Sequence, residues 1–189
     1  KVHYGAGEDS GEDVYLGVYN VESGTWIVDG NTYNYRLKIT ITENSGNNLT
    51  DYQVKVVVNT SWLVSNNYST SSGNEVRFTK SDGSTTLYFW RENDYNQTET
   101  IYWVKIPSIS ANSSVDIYMY FDPDLTSVSD ASDGTNTFQI FDDFDDGVID
   151  SEWIQDKSGT GTISFEEANG VLKITKTYRH VYAHVERSG

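Results

Sequence analysis

Apolar residues recur at every second position in this chain, and that alternation limits what it can fold into. Leu37, Ile39 and Ile41 share one parity, with Arg36, Lys38 and Thr40 on the other. Val54, Val56 and Val58 repeat the pattern, as do Val76 with Phe78, Tyr102 with Val104 and Ile106, and Val115 with Ile117 and Met119. Ile163 with Phe165, then Val171 with Lys173, continue it more weakly. Successive side chains of a strand point to opposite faces, so a period of two means strands with one buried face. Clusters of Gly, Asn, Asp and Ser separate the runs, and helical spacing is nearly absent. Many short strands joined by polar turns predict an all-β fold, an antiparallel β-sandwich or jelly roll.

The 189 residues divide into three stretches. Residues 1–34 form a Gly- and acid-rich arm with one strand pattern, Val14 to Val21. Residues 35–137 hold the clearest strand array and end in a segment, 122–137, that reads as a linker. Residues 138–189 supply strands that either complete the sandwich or open a truncated second one. The polar stretch from Ser65 to Asn74 reads as a solvated connection. No apolar run approaches the roughly 20 residues of a membrane span. The chain opens at Lys1 without Met, which fits removal of a leader or anchor.

Charge excludes one large group of functions. Thirteen Lys and Arg face 28 Asp and Glu, for a formal charge of −15. Nucleic-acid binding needs a basic stripe to displace counterions from phosphates, and no run of Lys or Arg exists. Binding to anionic lipid is disfavoured on the same ground. An acidic surface suits solubility or divalent cations better. The absence of cysteine rules out disulfides, zinc-thiolate sites and Cys nucleophiles.

Residues 35 to about 144 resemble a family of prokaryotic cell-surface modules known as domain of unknown function 2341. The carrying pieces are Tyr35 to Thr42, Leu49 to Val56, Val76 to Thr79 with Asp82-Gly83, and Leu87 with Trp90. The most specific are Ile101 to Pro107, Ala111 to Ser113, Ile117 to Phe121, and Phe141 to Phe144. Residues 141–172 are similar to the opening of a concanavalin A-like or laminin-G-like sandwich, through Phe144 to Gly147, Ile149-Asp150, Trp153 and Gly170 to Leu172. These resemblances imply an extracellular surface protein of a bacterium or archaeon, with adhesion or glycan binding and no catalytic mechanism.

Catalytic patterns are missing. There is no Gly-x-Ser-x-Gly elbow, His-Glu-x-x-His or Gly-rich phosphate loop. His180 and His184 lie in an alternating stretch, and four residues along a strand is ~13 Å, too far for one metal ion. Glu92 and Asp94 have strand spacing beside Trp90, but their neighbours read as a turn. Glu166 and Glu167 point to opposite faces, so a facing glycosidase pair is not expected there.

Two groups remain as binding candidates. If Val104 and Ile106 face the core, Trp103 faces outward; if Ile117 and Met119 do, Tyr118 and Tyr120 face outward. The short connection Pro107 to Ser114 reads as a hairpin, which would bring Trp103, Tyr118 and Tyr120 into one aromatic patch. Packing within the sandwich, contact with another subunit and stacking on a sugar all fit these parities. Asp142, Asp143, Asp145, Asp146 and Asp150 crowd together without a base, which fits either a solvated acidic loop or a Ca²⁺ site. Asn48, Asn59, Asn67, Asn96 and Asn112 stand in N-x-Ser/Thr sequons and are candidates for N-glycosylation.

Two functions are expected from this reading. The first is a non-enzymatic extracellular binding or adhesion module, with glycans or other surface proteins as partners. The alternative is a structural subunit of a filament or surface layer. There copies of the chain would exchange the Val14 to Val21 strand, and that strand would have no partner within its own chain.

Overall fold

The computed structural model describes residues 2–4, 14–16, 20–149, 153–158, 162–168, 170–176 and 182–187. In chain order come strands β1 (Val2–Tyr4), β2 (Val14–Leu16), β3 (Val21–Val28), β4 (Asn31–Thr42) and β5 (Leu49–Val58), then helix α1 (Thr60–Ser65). Next are β6 (Arg77–Lys80), β7 (Thr86–Leu87), β8 (Phe89–Arg91), β9 (Thr100–Ile109), β10 (Ser114–Phe121) and helix α2 (Gly134–Thr137). The last strands are β11 (Ile140–Asp142), β12 (Trp153–Ser158), β13 (Ile163–Ala168), β14 (Val171–Lys176) and β15 (Tyr182–Arg187). They form two compact units, Tyr4–Ile140 and a second made of Lys1–His3 with Phe141–Gly189.

The larger unit is a β-sandwich. One sheet has the order β3-β4-β10-β6-β7 and the other β2-β5-β9-β8. All pairs are antiparallel except β2 with β5, where Val14, Tyr15 and Leu16 run parallel beside Val56, Val57 and Val58. The alternating rows meet between the sheets. Leu37, Ile39, Ile41, Phe78, Ile117, Met119 and Phe121 come from the first sheet. Val54, Val56, Val58, Phe89, Tyr102, Val104 and Ile106 come from the second. Each such side chain removed from water contributes about 1.5–3 kcal/mol, which is why the inward parity is so strictly apolar.

Three features depart from the sequence reading. First, Val14–Leu16 and Val21–Val28 are separate strands, each paired within the chain, to β5 and β4 respectively. Second, a short helix follows β5. Asn59 caps it by accepting from the Trp62 N–H at 3.0 Å, and Leu63 is fully buried. Six residues are too few for a helical period to show in the sequence. Third, the Ser65 to Asn74 stretch is not simply solvated. Ser69 is buried and its hydroxyl meets the Glu75 carboxylate and the Tyr95 hydroxyl, while Glu75 also accepts from the Thr70 N–H and hydroxyl. Gly73, at φ 68°, lets the loop pass over Tyr95; a Cβ there would meet the ring at 2.3 Å.

In the second unit β1 pairs with β11, β12 with β15, and β13 with β14. The β13–β14 pair sets Glu167 opposite Leu172, Phe165 opposite Ile174 and Ile163 opposite Lys176. Ile163 and Glu167 are buried, so this parity of β13 carries one carboxylate into the interior. His184 falls in β15; the side chains of His3 and His184, and all of His180, lie outside the described residues.

Candidate functional site

The expected patch of Trp103, Tyr118 and Tyr120 does not exist as one surface. Trp103 is on β9, which pairs with β5 and β8, whereas Tyr118 and Tyr120 are on β10, which pairs with β4 and β6. The short connection from β9 to β10 crosses from one sheet to the other rather than closing a hairpin. Parity is the same for both arrangements, so alternation could not separate them.

Trp103 does face away from the core, and it is covered there. The segment expected to be a linker straps across the outer face of the four-stranded sheet. Asp133 N–H donates to the Phe89 carbonyl at 2.8 Å, and the Arg91 N–H donates to the Ser132 hydroxyl at 2.8 Å. Gln53 Nε2 donates to the Thr137 carbonyl at 2.9 Å, and Arg91 pairs with Asp130 at 2.7 Å. Asp133 caps α2 by accepting from the Asn136 N–H, and Phe138 then drops onto Trp90 and Trp103, with centroids 5.8 and 5.7 Å apart. Trp103 is left 7% exposed, its indole N–H donating to Glu92 at 2.8 Å. That face is internal packing.

The outer face of the five-stranded sheet is different. The register sets Glu22 and Tyr120 on either side of Arg36, Tyr118 beside Lys38 and Asp116 beside Thr40. The Arg36 guanidinium carbon lies 4.4 Å from the Trp26 ring centroid and 3.8 Å from that of Tyr118. A cation between two ring faces gains on the order of 0.5–2 kcal/mol per ring. Arg36 Nε also pairs with Glu22 at 2.6 Å, and Nη1 reaches the Tyr120 hydroxyl at 3.5 Å. Trp26 can lie flat because residue 24 is glycine; a Cβ there would meet the indole at 2.6 Å. Tyr120 is fully buried at the base of the cluster, 6.0 Å from Trp26 and 5.8 Å from Tyr33. Burial pushes the Tyr33 phenol up to about 12. Trp26 and Tyr118 themselves remain half-buried.

Polar groups flank this stack. Lys38 pairs with Asp116 at 2.8 Å, and Asp116 accepts from Thr40 at 2.6 Å. Lys38, then Thr40, hold the Asp116 carboxyl below the usual carboxylate range. The face therefore offers two aromatic rings clamped by one guanidinium, with acid, base and hydroxyl groups beside them. Of the expected aromatics only Tyr118 is presented on it. Trp26, Arg36 and Glu22 were missed, although Arg36 has the outward parity opposite Leu37.

Residues 72–157 match the family described as Domain of unknown function (DUF2341). No curated protein and no solved structure matches the chain. The matched range begins in the loop before β6 and ends within β12, less than half the chain. The earlier pieces, Tyr35 to Thr42 and Leu49 to Val56, fall before it. They are the strands β4 and β5, which pair with β10 and β9 of the matched range.

The acidic cluster splits into separate roles. Asp142 accepts from the Phe144 N–H at 2.8 Å and from the Trp153 indole N–H at 2.6 Å. Asp143 accepts from the Asp145 N–H at 3.3 Å, and Asp146 from the Val148 N–H at 2.8 Å. Asp150 lies outside the described residues. Among the described residues no three acid, His or Cys groups stand together so as to hold a metal ion, so Asp142, Asp143, Asp145 and Asp146 do not converge on one Ca²⁺ site. The reason is local: Asp142, Asp143 and Asp146 each accept from the main-chain N–H two residues on, and Asp142 also from the Trp153 indole.

The sequons differ in setting. Asn96 and Asn112 are exposed at φ 61° and 54°, and Asn48 is exposed while accepting from the Ala111 N–H. Asn59 is occupied as the helix cap, and the Asn67 sequon ends on the buried Ser69. Among the described residues, no helix is long and apolar enough to cross a membrane.

Proposed function

We propose that this protein is a non-enzymatic binding module of the extracellular cell surface, and that a glycan lies across the outer face of its five-stranded sheet. The observation that carries this reading is the Trp26–Arg36–Tyr118 stack. Two partly exposed rings are held in place by Arg36 on the sheet, and the apolar face of a pyranose packs on such rings at little conformational cost. Glu22, Lys38, Thr40 and Asp116 stand in the adjoining rows, where sugar hydroxyls find both donors and acceptors. A non-catalytic role is supported by how these carboxylates are committed: Glu22 to Arg36, Asp116 to Lys38 and Thr40, Glu92 to Trp103.

The strand-exchange reading has less support. β2 finds a partner in β5 of its own chain, and a filament built by exchange would have to break that pairing. The test of the glycan reading is retardation of the full chain in gels cast with chitin, mannan, cellulose derivatives or peptidoglycan fragments. Retardation that Trp26→Ala weakens supports it. Migration unaffected by every polymer removes it.

A further inference from the structure

We propose that Asp146 and Glu167 hold a divalent cation of the Ca²⁺ class in the C-terminal unit. Glu167 lies on the inward parity of β13 with Ile163 and is 7% exposed. Its Oε1 accepts from the Gly147 N–H at 3.2 Å. Its Oε2 is buried and has no hydrogen-bond partner. A buried carboxylate oxygen without a donor is costly, and natural structures resolve such atoms with an ion, a proton or water.

The surroundings select among these. Because Glu167 accepts from the Gly147 N–H, Asp146, one residue before, is its neighbour, and the charges of Asp142 and Asp146 both bear on it. Acceptor thus faces acceptor. Burial above all, with the charges of Asp142 and Asp146 behind it, pushes the Glu167 carboxyl above its usual range. Asp142 has both oxygens occupied, by the Phe144 N–H and the Trp153 indole N–H. Lys173, the base on the neighbouring strand, pairs with Glu166 on the opposite parity. Among the described side chains of this unit, no base reaches the Glu167–Asp146 pair. A cation between the two carboxylates relieves their repulsion and satisfies Oε2 together.

The donors are hard oxygens. Asp146 is exposed, so water completes the shell on that side. One carboxylate on a strand and one on a loop, with water completing the shell, suit Ca²⁺, which accepts six to eight irregular oxygens, better than Mg²⁺, which demands a strict octahedron. So few charged ligands predict a Kd on the order of 10⁻⁴ to 10⁻³ M. The sequence pointed to the Asp-rich loop without Glu167, which lies 21 residues after Asp146 and supplies the buried oxygen that gives one of those Asp residues a partner.

The experiment is calorimetric titration of chelator-treated full-length protein with CaCl₂ and, separately, MgCl₂, alongside thermal unfolding. The expected result is Ca²⁺ binding with a raised unfolding midpoint, a weaker Mg²⁺ response, and loss of both Ca²⁺ effects in Glu167→Gln and in Asp146→Asn. Asp146 is exposed, so its variant folds even if that of Glu167 does not. Asp143→Asn serves as the control and keeps the response. No heat and no shift in wild-type protein with millimolar Ca²⁺ overturns the proposal, as does a full Ca²⁺ response in Asp146→Asn. Stabilisation on acidification to about pH 5 without any Ca²⁺ response assigns the site to a shared proton instead and equally overturns it.

Discussion

Two residues show how unevenly polar groups are treated inside this protein. Tyr102 sits in the core between Phe78 and Phe89, at centroid distances of 5.4 and 5.9 Å, and its buried hydroxyl has no hydrogen-bond partner. An unpaired buried hydroxyl costs about 1–3 kcal/mol. Tyr102→Phe is therefore expected to raise the urea midpoint, by about 1 kcal/mol in stability; a clear loss would mean the hydroxyl has a partner. Glu43 is the opposite case, buried but fully served: it accepts from the Ser45, Gly46 and Asn112 N–H groups. Its hydrogen bonds with Ser45, then with the Asn112 N–H, bring its carboxyl down to about 2. A depressed carboxyl stabilises the fold above its unfolded value and loses that contribution as the pH falls toward its folded one. Between about pH 4.5 and 2 the wild type should lose more stability than Glu43→Gln, and equal pH slopes in urea unfolding would refute this. Neither environment is legible in the sequence. Tyr102 has the parity of the core, but nothing in the chain says whether a partner waits there, and Glu43 simply follows a strand as any loop acid would.

At the scale of elements, the inward rows were legible because burial on one face of a strand writes itself directly into alternation. Leu37, Ile39 and Ile41 of β4, and Ile117 and Met119 of β10, all face the core as the pattern requires. What alternation does not encode is which strand lies beside which. β9 and β10 are joined by a short turn yet belong to different sheets, so the expected aromatic patch came apart. The strap was hidden for a second reason. Its Asp, Ser and Thr residues act through main-chain and capping contacts, which have the composition of a solvated linker. Only Phe138 betrays its role. Phe138→Ala should uncover Trp90 and Trp103, red-shifting tryptophan emission and lowering stability by about 3 kcal/mol or more. An unchanged spectrum and midpoint would return the strap to the status of a linker.

At the scale of the molecule, the all-β class followed from period and turn residues together. The binding surface was only half legible. Tyr118 was recognised, but Trp26 comes from the N-terminal stretch that reads as an arm, and only the register of β3 on β4 brings it over Arg36. The two residues are only ten apart, across the turn between β3 and β4, but the register shift between Ser23 and Trp26 that sets the indole there is not written into the alternation. The central claim is that this stack, and not the covered Trp103, meets the ligand. The direct test is affinity electrophoresis of wild type, Trp26→Ala and Tyr118→Ala in gels containing the polysaccharide that retards the wild type most. Each substitution should keep one cooperative unfolding transition, lowered by no more than the lost ring–guanidinium contact of about 2 kcal/mol, and weaken retention by the equivalent of about 2 kcal/mol or more. Retention unchanged in both variants would contradict the account.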